Sequence, residues 1–130
     1  MRSHALAGFL LLFFLPVAAA AQTIWYVKGN ATGLNNGTSW DNAFTQLQPA
    51  LNTAQPGDQV WVAGGIFYPQ QPADGVSTIP QDRAFVLPAG VKIYGGFQGT
   101  EPAGFDLLQR SFLQNKTILS GDIDQNDVTL

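Results

Sequence analysis

A short apolar segment that contains a glycine occurs three times in the chain, and this recurrence constrains the fold more than any other feature. The three segments align on Gly64, Gly95 and Gly121. At the positions four before, two before and two after the glycine, eight of nine side chains are apolar and the ninth is a threonine. Side chains alternate between the faces of a strand, so these positions share one face. The nine residues are Val60, Val62, Ile66, Val91, Ile93, Phe97, Thr117, Leu119 and Ile123.

The segments follow one another at 31 and then 26 residues, a spacing typical of solenoid proteins. We therefore expect parallel strands stacked one per coil, each covering the apolar face of its neighbour. The glycines would let the coils pass closely. The opposite face carries Trp61, Lys92 and Ile118, and its mixed polarity predicts that it faces solvent. A β-sandwich in which the glycines coincide by chance is the alternative.

Residues 45–54 predict an amphipathic helix that begins at Thr45 and ends before the PGD sequence of residues 56–58. Thr45 would be the N-cap, and Gln48 would complete a capping box. The apolar positions at helical spacing are Leu47, Ala50, Leu51 and Ala54. We expect this helix to cap the open end of the solenoid, with Trp25, Trp40 and Phe44 around it. An irregular turn is the alternative. Strands are also predicted at residues 23–27 and 84–87.

The first 21 residues have the three-part pattern of a secretory signal peptide. A basic Arg2 precedes the apolar run of residues 5–15 (ALAGFLLLFFL), which Pro16 ends. The run is too short to span a bilayer. Three alanines end the segment, so we expect cleavage between Ala21 and Gln22 and a secreted or cell-surface protein. A buried apolar helix of the domain is the alternative. The predicted organisation is a signal peptide (1–21), an N-terminal strand, loop and helix (22–58) and the first coils (59–130).

Charge and composition argue against some classes of binding partner and of catalytic site. Without Arg2, five Lys and Arg residues remain against nine acidic ones, a formal net charge of −4. Such a surface is not that of a nucleic-acid or anionic-membrane binder. The chain has no cysteine, and its one histidine, His4, lies in the predicted signal peptide. Zinc sites and serine–histidine or cysteine–histidine catalysis are therefore not expected in the mature protein.

The stretch of residues 26–68 resembles the N-terminal cap and first coil of secreted bacterial right-handed parallel β-helix proteins of the pectate-lyase-like superfamily. The matching features are YV-x3-A-x-G-x3-G-x-S-W, then LQ-x-AL, then PGD-x-VWVA-x-G, with Phe67 or Tyr68 at the last aromatic position. The later VKIYGGFQGTE and LSGDID sequences resemble following coils. The resemblance implies an all-β, right-handed parallel β-helix and an extracellular polysaccharide as partner.

Family members are much longer, and this chain stops within what resembles the next strand. We therefore expect a fragment of a longer β-helix protein, or a small protein whose open end a partner covers. The same open end predicts self-association of the isolated chain. Polysaccharide lyases of the superfamily carry their catalytic residues on later coils, so no position here is matched to them and no catalytic residue is assigned.

Two sets of residues are candidates for binding. Asp122, Asp124 and Asp127 lie in a sequence that begins like a calcium loop, which makes them a weak Ca²⁺ candidate; a solvated turn is the alternative. Trp61 and Tyr94 are candidates for stacking on sugar rings, unless the loop of residues 69–82 covers them. Asp41 and Asp58 could serve as paired glycosidase carboxylates only if they converge, which nothing in the sequence suggests.

We therefore expect a structural or binding module of a secreted or surface protein, with glycan-binding or adhesive function. The alternative is the non-catalytic N-terminal part of a secreted polysaccharide lyase or glycoside hydrolase.

Overall fold

The computed structural model describes residues 21–126. Within them the chain forms one α-helix, five strands and two short 3₁₀ turns, at Pro80–Asp82 and Leu107–Gln109. In chain order the main elements are β1 (Ile24–Val27), α1 (Leu47–Thr53), β2 (Gln59–Ala63), β3 (Gly65–Phe67), β4 (Lys92–Phe97) and β5 (Thr117–Leu119).

The strands form two separate, short parallel sheets, one of three strands in the order β1-β2-β4 and one that pairs β3 with β5. Together with α1 this is a small mixed α/β fold. No closed or solenoid sheet is present in residues 21–126. The prediction of an all-β, right-handed parallel β-helix is therefore wrong.

The observed strand register shows that the alignment of the three glycine-containing segments predicted the wrong strand pairing. The alignment placed Val60 opposite Val91, whereas β2 pairs Val60 with Ile93, two residues further along. It also placed Thr117 in the same stack, but Thr117 pairs with Gly65 in the other sheet. Gly121 lies in no strand. The three similar segments thus enter two different sheets in two different registers.

The first strand and the helix are confirmed. Strand β1 lies within residues 23–27, and α1 buries the predicted apolar face against β1 and β2. Its core partners are Val27, Val60 and Val62, none of them measurably exposed. The helix covers one face of the three-stranded sheet rather than the end of a solenoid. Its N-cap is Gln46, and no side chain makes a capping hydrogen bond there, so the predicted capping box is wrong.

The other face of the three-stranded sheet is also buried. Trp61 is only 2% exposed, and its ring stacks on Phe97 with 4.6 Å between centroids. Tyr26 and Trp40 pack edge to face beside them, with centroids 4.8 Å apart. The expectation that this face meets solvent is therefore wrong at Trp61, because the loops after β1 and β4 fold back over it. Lys92 and Ile118, which were predicted to share the face, are exposed. The sheet thus lies between the helix and this aromatic layer, which consists of Tyr26, Trp40, Ala43, Trp61, Ala63 and Phe97.

Residues 84–87 were predicted to be a strand but form none. Hydrogen bonds with the Gln48 side chain hold this segment in place. Its side-chain oxygen accepts from the Val86 N–H at 2.9 Å, and its amide nitrogen donates to the Val86 carbonyl oxygen at 3.1 Å. Gln48 is 3% exposed, so a buried amide supplies the hydrogen bonds that a neighbouring strand would otherwise provide.

Candidate binding cleft

An apolar cleft of about 610 Å³ opens between β4 and β5. Its walls come from both sheets and from the loops before β4 and β5. The apolar side chains that line it are Val62, Leu87, Ile93, Phe112, Ile118 and Leu119. The strands bring together residues that lie far apart in the sequence, so the cleft is a product of the fold and not of a local motif.

Thr117 forms the junction between the two sheets at the floor of this cleft. Its hydroxyl oxygen accepts from the Gly96 N–H at 3.0 Å, and its O–H donates to the carbonyl oxygen of Ala63, also at 3.0 Å. A Cβ at Gly95 would lie only 2.8 Å from the Cβ of Thr117. Gly95 therefore lies at a close approach, but between two sheets and not between coils of a solenoid. The expectation of a close approach is wrong for Gly121, where a Cβ would meet nothing within 4 Å.

The rim of the cleft exposes large apolar side chains. Leu87 is 61% exposed and Phe112 is 60% exposed, while Ile118 and Leu119 are about half exposed. A contiguous apolar surface of this kind, next to a cavity, is typical of binding sites in soluble proteins. Two strand edges accompany it. Within the described residues β4 ends the three-stranded sheet and β5 ends the two-stranded one, so each has one strand neighbour.

Arg110 fixes one wall of the cleft. Its guanidinium lies 5.0 Å from the ring centre of Phe112 and 5.1 Å from that of Tyr94. One nitrogen donates to the Gly95 carbonyl oxygen at 3.0 Å. Nothing in the sequence around Arg110 indicates this role, because only the fold brings its side chain onto these aromatic rings.

Asp58 has a structural role at the start of β1. Its carboxylate accepts from the Gln55 N–H at 2.9 Å, the Trp25 indole at 3.0 Å and the Thr23 N–H at 3.2 Å. The hydrogen bonds from Gln55 and then Trp25 favour the charged form, so the pKa of Asp58 lies below its ordinary value. Asp41 lies on an exposed loop. Because the Asp58 oxygens are engaged with these donors, Asp58 is not placed for glycosidase chemistry.

The two candidates for sugar stacking have different environments, and neither offers a free ring. Trp61 is buried within the aromatic layer, so in this structure it has no ring face for a sugar. The residues that cover it belong to that layer and not to the loop of residues 69–82. Tyr94 is partly buried, and the guanidinium of Arg110 lies over its ring.

The acidic loop that was the weak Ca²⁺ candidate forms a turn. An Asp122 carboxylate oxygen accepts from the Asn126 N–H at 3.3 Å, and an Asp124 oxygen accepts from the Asn126 side-chain amide at 3.1 Å. Asp127 lies outside the described residues. Across residues 21–126 no group of three or more His, Cys, Asp or Glu side chains is placed to hold a metal ion.

At the predicted cleavage site, Ala21 and Gln22 are both exposed. The rest of the predicted signal peptide, residues 1–20, lies outside the described residues. In the part of the chain that is described, no helix has the length and apolar character to cross a membrane.

Comparison of the chain with family models, with curated proteins and with solved structures finds no match. The resemblance to the pectate-lyase-like superfamily stays a prediction.

Proposed function

We propose that this chain is a non-catalytic, adhesive binding module of an exported protein, and that its cleft takes an extended apolar polypeptide segment. The observation that carries the proposal is the apolar cleft between β4 and β5, open at its rim and flanked by two strand edges. An extended peptide can add main-chain hydrogen bonds at a strand edge and place alternate side chains in such a cleft.

The chemistry of the walls favours a polypeptide over a polysaccharide. Of the two rings predicted to stack on sugars, Trp61 is buried and Tyr94 has Arg110 over it. The exposed ring on the rim, Phe112, also has the Arg110 guanidinium 5.0 Å from its centre. Among the described residues that line the cleft, only Lys116 is charged. Burying Leu87, Phe112 or Ile118 against an apolar partner releases surface from water at roughly 25 cal/mol per Å². Export is supported by the signal-peptide pattern of residues 1–21.

The experiment is a peptide-binding titration by fluorescence anisotropy. The probe is a labelled ten-residue peptide of alternating valine and threonine; a second peptide of equal composition has its valines clustered. We expect saturable binding of the alternating peptide and weaker binding of the clustered one. The double variant Leu87→Lys and Ile118→Lys should lower the affinity at least tenfold, because two charges would enter the apolar walls.

The matched control is Leu34→Lys, since Leu34 is 75% exposed and does not line the cleft. It should bind like the unchanged protein. Equal binding by the cleft variant and the control would contradict the proposal. Retardation of the protein in gels that contain polygalacturonate or xylan, unaffected by the cleft variant, would favour a glycan instead. Formation of an ultraviolet-absorbing unsaturated product from polygalacturonate would instead reveal lyase activity.

A further inference from the structure

We propose that Gln22 becomes the N-terminal residue of the exported protein and then cyclises to pyroglutamate. The inference rests on the export part of the proposed function, since cleavage after Ala21 must first free the α-amine. The amine nitrogen attacks the side-chain carbonyl carbon of the same residue, and a C–N bond forms. The bond from that carbon to the side-chain nitrogen breaks, and ammonia leaves with a proton from the amine. No other reactant is consumed.

The structure leaves Gln22 free to react while anchoring the residue that follows it. Gln22 is exposed and forms no hydrogen bond with any residue the structure describes. Thr23 is held on both sides of its backbone: its N–H donates to Asp58 at 3.2 Å, and its carbonyl oxygen accepts from the Gln59 N–H at 2.9 Å. No hydrogen bond to the described residues therefore keeps the amine and amide of Gln22 apart, and closing the ring disturbs no hydrogen bond of the sheet.

Cyclisation would be slowed if the freed α-amine formed an ion pair with Asp58, because an ammonium group cannot attack the side-chain carbonyl carbon. The Asp58 carboxylate already accepts from Gln55, Trp25 and Thr23. A carboxylate has about four acceptor positions, so three are in use before an ammonium group arrives. Asp58 is therefore not a strong site for retaining the free amine in its charged, unreactive form.

The test is mass spectrometry of the protein exported by a bacterial host. The intact mass is measured first, so that cyclisation during digestion is excluded, and the tryptic N-terminal peptide is then identified. Trypsin cuts after Lys28, so cleavage after Ala21 gives the peptide of residues 22–28 (QTIWYVK), whereas an unprocessed chain gives residues 3–28. The expected result is the 22–28 peptide lighter by one ammonia, in a fraction that rises during incubation at neutral pH.

The matched control is Gln22→Asn, which keeps a side-chain amide but is one methylene too short to close the five-membered ring. It should give the uncyclised peptide throughout. An unmodified 22–28 peptide after days at neutral pH would overturn the cyclisation and leave export standing. A peptide that begins at any other residue would overturn the cleavage site and this inference with it. Unchanged unfolding temperatures are expected for both forms, because Thr23 remains bound.

Discussion

The amide of Gln48 on α1 forms a pair of hydrogen bonds with the backbone of Val86, one to its N–H and one to its carbonyl oxygen. These bonds tie residues 84–87, and with them Leu87 on the cleft wall, to the helix. One buried side chain thus connects the core to the wall of the cleft. The relationship could not be predicted from the spacing of residues, which instead assigned Gln48 to a capping box.

Replacing Gln48 with leucine should destabilise the protein by about 1–3 kcal/mol, because the buried Gln48 amide makes two hydrogen bonds with the Val86 backbone that leucine cannot make. The measurement is urea unfolding monitored by tryptophan fluorescence. Gln46→Leu is the control on the same helix, since Gln46 is exposed and its side chain forms no cap. Equal stabilities of the two variants would argue against this role of Gln48.

Replacing Asp58 with asparagine should lower stability by about 1–3 kcal/mol at neutral pH, because charged acceptor oxygens for Gln55, Trp25 and Thr23 are lost. The pKa of Asp58 is lower in the folded protein than in the unfolded chain. Its contribution is therefore fully present above the unfolded value of about 3.9 and is lost as the pH falls through the lower folded value.

The pH dependence is measured as the difference in unfolding free energy between the unchanged protein and Asp58→Asn from neutral pH downward. This difference should shrink below about pH 4. Asp41→Asn is the control, because Asp41 is exposed, and it should show little difference at neutral pH. A difference for Asp58→Asn that stays constant through the acidic range would contradict the assignment.

Replacing Trp61 with alanine should cost about 3–5 kcal/mol, because it empties the centre of the aromatic layer. Thermal unfolding followed by circular dichroism measures the loss. Phe112→Ala is the control: Phe112 is 60% exposed, and loss of its contact with Arg110 should cost about 1 kcal/mol. If Trp61→Ala unfolds at the same temperature as this control, Trp61 does not occupy the core position described above.

We expect the isolated protein to self-associate, because a second copy can bring its own strand edge and apolar rim to the cleft. Light scattering at tens of micromolar should give a mass above that of a monomer. The double variant Leu87→Lys and Ile118→Lys should return it to a monomer, whereas Leu34→Lys should not. A monomeric mass for the unchanged protein across this concentration range would rule the association out.

Calcium is expected to bind weakly or not at all to the acidic turn, since Asn126 occupies oxygens of both Asp122 and Asp124. Calorimetric titration with millimolar Ca²⁺ should give no saturable heat, and Mg²⁺ serves as the control. Saturable Ca²⁺ binding that disappears in Asp122→Asn and Asp124→Asn would instead support the calcium site.

The sequence predicted the elements whose signals are local. The apolar residues of α1 recur at helical spacing, and β1 is a continuous run of β-branched and aromatic side chains, so both were found nearly at their observed bounds. The two sheets were not predicted, because strand pairing depends on contacts between residues that lie far apart in the sequence. Nothing near Thr117 in the sequence indicates that its hydroxyl reaches Gly96, and this contact helps to place β5 beside β3.

For the candidate site, too, the sequence predicted local features but not contacts between distant segments. Gln22 is exposed, and cleavage before it stays a prediction. The cleft was missed because its walls come from separate segments. Trp61 was placed on the correct side of its strand, opposite Val60 and Val62, yet that side proved to be buried. A lone strand shows which side chains share a face, but it does not show whether a loop will return to cover them.

The register shift between Trp61 and Ala63 makes the number of residues in β4 important for the fold. Strand β4 uses two residues between Tyr94 and Phe97 where β2 uses one between their partners. The surplus residue lies in the glycine pair, and there the Gly96 N–H turns to Thr117 and the Gly95 carbonyl turns to Arg110. A deletion of one glycine could therefore leave Phe97 opposite Ala63 and still detach the smaller sheet. The number of residues in this strand, as much as their identity, joins the two halves of the cleft.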